Sequence, residues 1–254
     1  MANELKNLMD SNFMGYASYV IKERAIPEIE DGLKPVQRRI LHSLHEVDDN
    51  KFHKVANIVG HTMKYHPHGD ASISDALVNI AQKNFFIEQQ GNFGNVITGD
   101  PASAARYIEC KISALAKETM FNDEITDYVD SYDGRNKEPV VFPAKIPVLL
   151  MCGVEGIAVG LSTKILPHNF IELLESQIKI IKGEDFEIYP DFPHAGSIDV
   201  SDYQNGKGRI KIRAKIEVTD NKTLLIKEIP FGTTTESIIA SIENAINKGK
   251  LKIS

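Results

Sequence analysis

Gly91-Asn92-Phe93-Gly94-Asn95-Val96-Ile97-Thr98-Gly99-Asp100-Pro101-Ala102-Ser103-Ala104-Ala105-Arg106-Tyr107 ends on a guanidinium beside a phenol. Glycines at 91, 94 and 99, with Asn95 and Asp100, mark a tight, bent loop, because glycine accepts positive φ without steric cost. Backbone amides in such a loop can approach a phosphate closely. A phenol with an ordinary pKa of about 10 is a nucleophile only after its proton is withdrawn. A neighbouring arginine favours the phenolate and grips phosphate oxygens as a fork. Taken alone, Tyr107-Ile108-Glu109-Cys110-Lys111-Ile112 reads as a strand and Tyr107 as a packed aromatic. The residues upstream decide between the two readings.

Upstream, Asp31-Gly32 is a turn signal and Pro35 suits the first position of a helix. Val36, Ile40, Leu41, Leu44 and Val47 then recur at helical spacing. Lys34, Arg38 and Arg39 cluster at that helix start, where positive charge opposes the helix dipole. A solvated face accounts for them; an anion held at the helix N-terminus accounts for them better. Phe52, Val55, Ile58 and Val59 predict a short helix ending at Gly60. The turn His61 to Asp70 follows, then Ser72-Ile73-Ser74-Asp75, which resembles a capping box. Ile73, Ala76, Leu77, Ile80 and Ala81 give the helix it opens one apolar face. Helix, turn, helix is the pattern of a DNA-reading motif, with a longer turn than usual.

Six of the eight histidines (His42, His45, His53, His61, His66, His68) fall between 42 and 68, among Lys51, Lys54 and Lys64. His66 and His68 flank a proline, but no carboxylate or cysteine set completes a metal site at ligand spacing, so no metal is expected on this chain. A phosphate or proton-transfer role suits His68 better, since imidazole exchanges protons near neutral pH.

The 254 residues suffice for one large domain or two smaller ones. A composition 42% hydrophobic and 25% charged excludes wholesale disorder. A net charge of -6 excludes nucleic-acid binding through bulk charge and requires a local basic patch instead. Cys110 and Cys152 form neither a metal spacing nor a disulfide framework, which fits a reducing cytoplasm. The most apolar run, Ile146 to Gly160, is short and broken by Gly153, Glu155 and Gly156, so no membrane span is expected. No signal peptide, internal repeat or low-complexity tract is evident.

Several motifs, in fixed order, carry a resemblance: Arg24-Ala25-Ile26-Pro27, Asp31-Gly32-Leu33-Lys34-Pro35 with Gln37-Arg38-Arg39, His66-Pro67-His68-Gly69-Asp70, Gly91-Asn92-Phe93-Gly94 and Ala105-Arg106-Tyr107. They continue through Tyr132-Asp133-Gly134, Pro143-Ala144-Lys145-Ile146-Pro147, Gly156-Ile157-Ala158-Val159-Gly160 and Pro167-His168-Asn169. Across nearly its whole length the chain resembles the breakage-reunion subunit of bacterial type IIA topoisomerases, the family shared by DNA gyrase and topoisomerase IV. The resemblance implies an α+β fold: an amino-terminal arm or helix over 1–25, a winged-helix (catabolite-activator-like) DNA-gate domain over 26–150, and a partial mixed α/β tower domain over 151–254. It implies that Tyr107 is the nucleophile and Arg106 its partner, and that Arg24, Lys34, Arg38 and His68 support the scissile phosphate. Arg39, Lys64 and His66 join them as further DNA or phosphate contacts. Ile157 matches the isoleucine that wedges between bases, although an isoleucine among glycines is more often core. Ala71 departs from the serine of many members; with Asp75 it marks the quinolone site, so weak quinolone action is expected. The resemblance further implies Mg2+ and ATP held by a separate ATPase and metal-binding partner, double-stranded DNA as substrate, and a homodimer within a heterotetramer. It implies that the tower is incomplete and that the coiled-coil gate and wrapping domain lie outside this chain.

Downstream, helices are expected over Ala114 to Phe121, Phe170 to Ile181 and from Thr235, with an acidic surface loop from Asp123 to Lys137 and an edge or irregular segment from Val140 to Leu150. Pro190 to His194 reads as a boundary loop. Ile210, Ile212, Ala214, Ile216 and Val218 alternate with charged residues as one half-buried strand, turned at Asp220-Asn221 into Leu224-Leu225-Ile226. Leu251 and Ile253 are an apolar pair in want of a partner strand. The expected chemistry is reversible transesterification by Tyr107, ATP-dependent in the assembled enzyme, with topoisomerase IV favoured over gyrase. Arg106, Arg38 and His68 would stabilise charge on the phosphorane, and His68 would protonate the leaving oxygen. The alternative is a winged-helix module that binds DNA without cutting it. A phosphate-binding metabolic enzyme fits poorly, with neither a Walker loop nor a dinucleotide fingerprint.

Overall fold

The computed structural model describes residues 2–193, 196–220 and 223–252, with side chains from residue 9 onward. His194, Asn221 and Ile253 lie outside the described residues, and with them the end of the expected boundary loop, half of the expected turn and half of the terminal apolar pair. The chain is α+β, with helices and five small antiparallel sheets among the described residues. It divides into two compact units, 1–92 with 103–188 and 93–102 with 189–254. The compact boundary thus falls near 188, and residues 151–188 pack with the first unit.

In the first unit, α1 (Ala2–Val20) occupies most of the segment read as an arm or helix, and it runs into a π-helical turn, Ile21–Ala25. The segment then turns at Gly32, where φ is +67° and a Cβ would come within 2.4 Å of the Leu149 amide nitrogen, so only glycine fits. Helix α2 (Pro35–Glu46) begins with its proline in the first turn, and the Lys34 amide donates to Gln37 Oε1 at 2.9 Å. Ile40, Leu41 and Leu44 are buried as their spacing predicts, each stabilising by about 2 kcal/mol. Strand β1 (His53–Lys54) leads into α3 (Val55–Thr62), which passes through Gly60 rather than ending there. The following turn delivers the chain to α4 (Asp70–Gln82). Gly69 is the N-cap, and Ser72 donates from its hydroxyl to the Gly69 carbonyl at 2.7 Å. The expected capping box therefore does not open this helix, whose N-cap lies three residues earlier. Ile73, Leu77, Ile80 and Ala81 are buried as expected.

Strands β2 (Ile87–Gln90) and β3 (Glu109–Ile112) join β1 in a three-stranded antiparallel sheet of order β1-β3-β2, with Gln89 opposite Cys110 and Cys110 opposite His53. Ser113 caps α5 (Ala114–Met120). The acidic stretch after it is not all loop: β4 (Tyr128–Asp130) pairs with β5 (Lys137–Pro139). Within 140–150 the irregular segment ends in α6 (Val148–Cys152). Strands β6 (Val154–Ile157) and β7 (Ser162–Ile165) form a hairpin. The hairpin lies against the π-turn so closely that a Cβ on Gly156 would meet the Ala25 carbonyl oxygen at 2.2 Å. Asn169 caps α7 (Phe170–Lys182), and Gly183 ends it in the left-handed conformation.

In the second unit the alternating run is two strands. Strand β8 (Ser197–Asp202) pairs with β9 (Arg209–Arg213), and β10 (Lys215–Val218) pairs with β11 (Leu224–Glu228). The break falls at Ala214, and Ile216 and Val218 beyond it are exposed, so the half-buried pattern holds only for the first half. Helix α8 (Thr235–Asn247) opens with Thr234, one residue earlier than expected, in a capping box with Ser237.

Candidate nucleic-acid cleavage site

The glycine-rich loop does not present a cradle of free amides. The Asn95 amide donates to Asp100 O at 3.0 Å, the Gly99 amide to Asn95 O at 2.8 Å, and the Ile97 amide to Asn95 Oδ1 at 2.8 Å. The Ile97 carbonyl in turn accepts from the Thr235 amide at 2.8 Å, within the second unit. The expected phosphate-binding role of this loop is corrected accordingly: its glycines serve a self-bonded turn.

The Arg106-Tyr107 pair stands on a turn rather than in the strand. The Tyr107 amide donates to Ala104 O at 2.8 Å, and β3 begins two residues later at Glu109. The turn holds the ring off the sheet, 65% exposed, whereas Ile108 next to it is buried. Tyr107 is therefore no packed strand aromatic. The Arg106 guanidinium carbon lies 4.5 Å from the centroid of the Tyr107 ring, a cation–π contact that leaves the phenol oxygen open.

A second cluster gathers around His68. Its Nε2 lies 2.8 Å from the Tyr19 hydroxyl and 3.4 Å from Arg24 Nη2. The His66 ring meets the His68 ring edge-on, with centroids 5.0 Å apart. His66 is buried, and its Nδ1 accepts from Arg39 Nη1 at 3.2 Å. Burial first, then the positive neighbours Arg39, His68 and Arg24, push the His66 pKa down to about 4. An open cavity of about 460 Å³ adjoins the cluster, lined by Arg24, Val36, His66, His68, Gly69 and Ala71. Ala71 and Asp75 are exposed on α4 and stand one turn apart on the same face.

The arginines at the start of α2 face inward. Arg38 is buried, and its guanidinium spans Asp31, with Nε 2.5 Å from Oδ2 and Nη2 2.9 Å from Oδ1. Asp31 is fully buried and also accepts from the Leu33 and Phe142 amides, each at 3.0 Å. A guanidinium so committed cannot reach a phosphate without stranding a buried carboxylate, so Arg38 holds the Gly32 turn instead of the phosphorane. Arg39 grips Glu138 with both fork arms, the longer at 3.0 Å, and supports His66. The anion expected at this helix start is thus supplied by Asp31 and Glu138. Lys34 donates from Nζ to the Glu155 carbonyl at 2.8 Å, and desolvation, then the nearby Lys83, lower its pKa. Lys64 is exposed, with Nζ 3.2 Å from His61 Nε2. Ile157 is 76% exposed at the tip of the β6–β7 hairpin, so it is a surface projection and not core.

Sequence reasoning missed Tyr19, Asp31 and Glu138 as partners of these groups. Asp31 and Arg38 share a motif, but nothing in it shows that both turn inward; Glu138 is 99 residues from Arg39, too far for any local signal. No three His, Cys, Asp or Glu residues converge as a metal-ligand set among the described residues. No described helix is long and apolar enough to cross a membrane.

Comparison with known proteins bears on this site. The family of the DNA gyrase/topoisomerase IV A subunits matches residues 24–254. The A subunit of DNA topoisomerase 4 from Borreliella burgdorferi is 59% identical over 251 residues, covering 99% of this chain and 40% of that protein. The A subunit of DNA gyrase from Lawsonia intracellularis is 40% identical over 270 residues, 96% of this chain and 33% of its own. Its counterpart from Escherichia coli, also a DNA gyrase A subunit, is 38% identical over 272 residues, with 96% and 31% covered. The chain therefore spans two-fifths or less of the length of these relatives.

Proposed function

This chain belongs to the family of DNA gyrase/topoisomerase IV A subunits, and we propose that it is the DNA cleavage and religation portion of a type II topoisomerase. The observation that carries the reading is Tyr107, raised on a turn with its hydroxyl exposed and Arg106 against its ring. The Tyr107 oxygen attacks a DNA phosphorus as the phenol proton is lost. The bond from phosphorus to the 3′ oxygen breaks, and that oxygen leaves as a 3′ hydroxyl with a proton. A 5′-phosphotyrosyl diester replaces the original diester, so the reverse attack reseals the strand. Arg106 and the Arg24–His68 cluster supply positive charge and donors for the phosphorane oxygens, each contact contributing about 3 kcal/mol to barrier lowering. No recorded contact among the described residues joins Tyr107 to His68; in this reading the scissile phosphate bridges them.

Helices α3 and α4 beside the β1-β3-β2 sheet support a winged-helix reading of 26–150, with 1–25 as an arm and 151–254 as the start of the tower. Ile157 at its hairpin tip suits a wedge between base pairs. Lys34 and Lys64 add positive charge to this DNA-facing set, and Arg39 and His66 act behind it by bracing His68. A magnesium ion would act as a Lewis acid on the phosphate. The described residues offer it no ligand set, so we assign it, with ATP, to a separate ATPase partner. Two copies of the chain, one tyrosine per strand, would make the double-strand break, as a homodimer within a heterotetramer in the cytoplasm. Identity of 59% to a topoisomerase 4 chain, compared with 40% and 38% to gyrase chains, favours topoisomerase IV.

The test uses the complete cleavage subunit with its ATPase partner, magnesium and supercoiled plasmid, trapped with detergent. Protein attached to DNA 5′ ends is expected with Tyr107 and absent with Tyr107→Phe. Cleavage surviving in the variant would move the chemistry to another residue. Tight binding with no covalent product from either form would favour the non-cutting module.

A further inference from the structure

The His68 ring has both of its recorded hydrogen bonds on one nitrogen. Nε2 receives the Tyr19 hydroxyl at 2.8 Å and Arg24 Nη2 at 3.4 Å. A guanidinium donates and never accepts, so Nε2 facing Arg24 must offer its lone pair. A neutral imidazole that accepts at Nε2 carries its proton on Nδ1. Tyr19, with the shorter of the two contacts, is then the donor that fills the lone pair. It reaches His68 from the last turn of α1, 49 residues away in sequence. The other ionisable groups around the ring are His66 and Arg24, with Glu23 one residue before Arg24 and Arg39 behind His66.

We propose that Tyr19 is a positioning residue for His68: its hydroxyl, together with Arg24, caps Nε2, fixes the Nδ1–H tautomer and aims a neutral N–H donor at the phosphate. The inference rests on the proposed cleavage reaction, and it alters one part of it. With Nε2 capped by donors, His68 acts by hydrogen bonding to a phosphorane oxygen, and the leaving 3′ oxygen takes its proton from another source, such as water. His66 provides a contrast within the same turn: its Nδ1 accepts from Arg39, which puts the opposite tautomer, Nε2–H, on the buried ring.

Long-range proton–nitrogen NMR of the histidine rings in this chain reads both tautomers without DNA or cleavage. In the unaltered chain, His68 is expected to show a bare Nε2 and a protonated Nδ1, with His66 the reverse. In Tyr19→Phe the His68 signals should move toward a tautomer mixture while His66 stays put. In the complete enzyme the same variant should cleave about three- to tenfold more slowly, the rate equivalent of one hydrogen bond. A protonated Nε2 on His68 in the unaltered chain overturns the proposal. So does a Tyr19→Phe chain whose tautomer or cleavage rate is unchanged. Covalent product from Tyr107→Phe would instead remove the cleavage reading, and the NMR result would still decide whether Tyr19 sets the tautomer.

Discussion

Arg38→Met separates a buried scaffold from a phosphate ligand. Arg38 pairs through two guanidinium nitrogens with Asp31, a residue with no exposed surface. Removing the guanidinium leaves that carboxylate with only the Leu33 and Phe142 amides as donors. Breaking a buried pair from one side costs about 3–5 kcal/mol. At about 2–4 °C per kcal/mol for a chain of this size, the melting temperature should fall by roughly 6–20 °C. The amides of Leu33 and Phe142 should lose hydrogen-exchange protection first, since both bond to Asp31. The double variant Asp31→Asn, Arg38→Met removes the buried charge but keeps an acceptor for only one of the two amides, which bond to different oxygens, and should recover part of the loss. A ligand of the phosphorane behaves in the opposite way: its removal slows cleavage about 100- to 1,000-fold and leaves the melt alone. An Arg38→Met chain that melts within about 1 °C of the original, yet loses cleavage on that scale, would refute the assignment of Arg38 as scaffold.

Ile157→Ala should change stability by less than about 0.5 kcal/mol, because the side chain is 76% exposed, while reducing DNA bending in a doubly labelled duplex; a loss above roughly 2 kcal/mol would return this residue to the core. Ala71→Ser restores a hydroxyl one turn from Asp75 on the exposed face of α4, and drug-stabilised cleavage by a quinolone should rise; no gain removes that explanation. His66, its pKa held near 4 in the folded chain against about 6.5 unfolded, binds a proton more readily when unfolded. Its contribution is complete above pH 6.5 and is lost as pH falls toward 4, on the order of 1 kcal/mol by pH 5 after allowing for solvent screening. His42, whose pKa burial also lowers, adds the same sign, so His66→Asn should reduce but not abolish the drop in melting temperature between pH 7 and pH 5. In DNA-binding titrations against salt, Arg24→Gln and Arg106→Gln should each reduce the logarithmic slope by about 1, whereas Arg39→Gln should not; equal slopes for all three would mean that the Glu138 pair opens on DNA.

The parts of this fold that are legible in the sequence are those whose cause is local. Helices α2, α4, α7 and α8 declare themselves through apolar residues at helical spacing, which form a buried stripe in α2 and α4. Tyr107 reads as strand because the residues from 107 to 112 favour strand, and the competing bond from its amide to Ala104 lies on the loop side. The break at Ala214 is hidden for a related reason: the alternation runs unbroken through two strands that pair with different partners. Electrostatics is the least legible of all. A sequence shows how many cations there are, not how many are already spent. Of the basic residues that read as phosphate contacts, Arg38 and Arg39 are neutralised by Asp31 and Glu138, and Lys34 is engaged by a backbone carbonyl. Arg24, Lys64 and Arg106 remain more open to solvent than the buried Arg38. The positive surface that a net-negative chain needs for DNA is therefore narrower than its motifs suggest, and it depends on the carboxylates that hold the other arginines out of it.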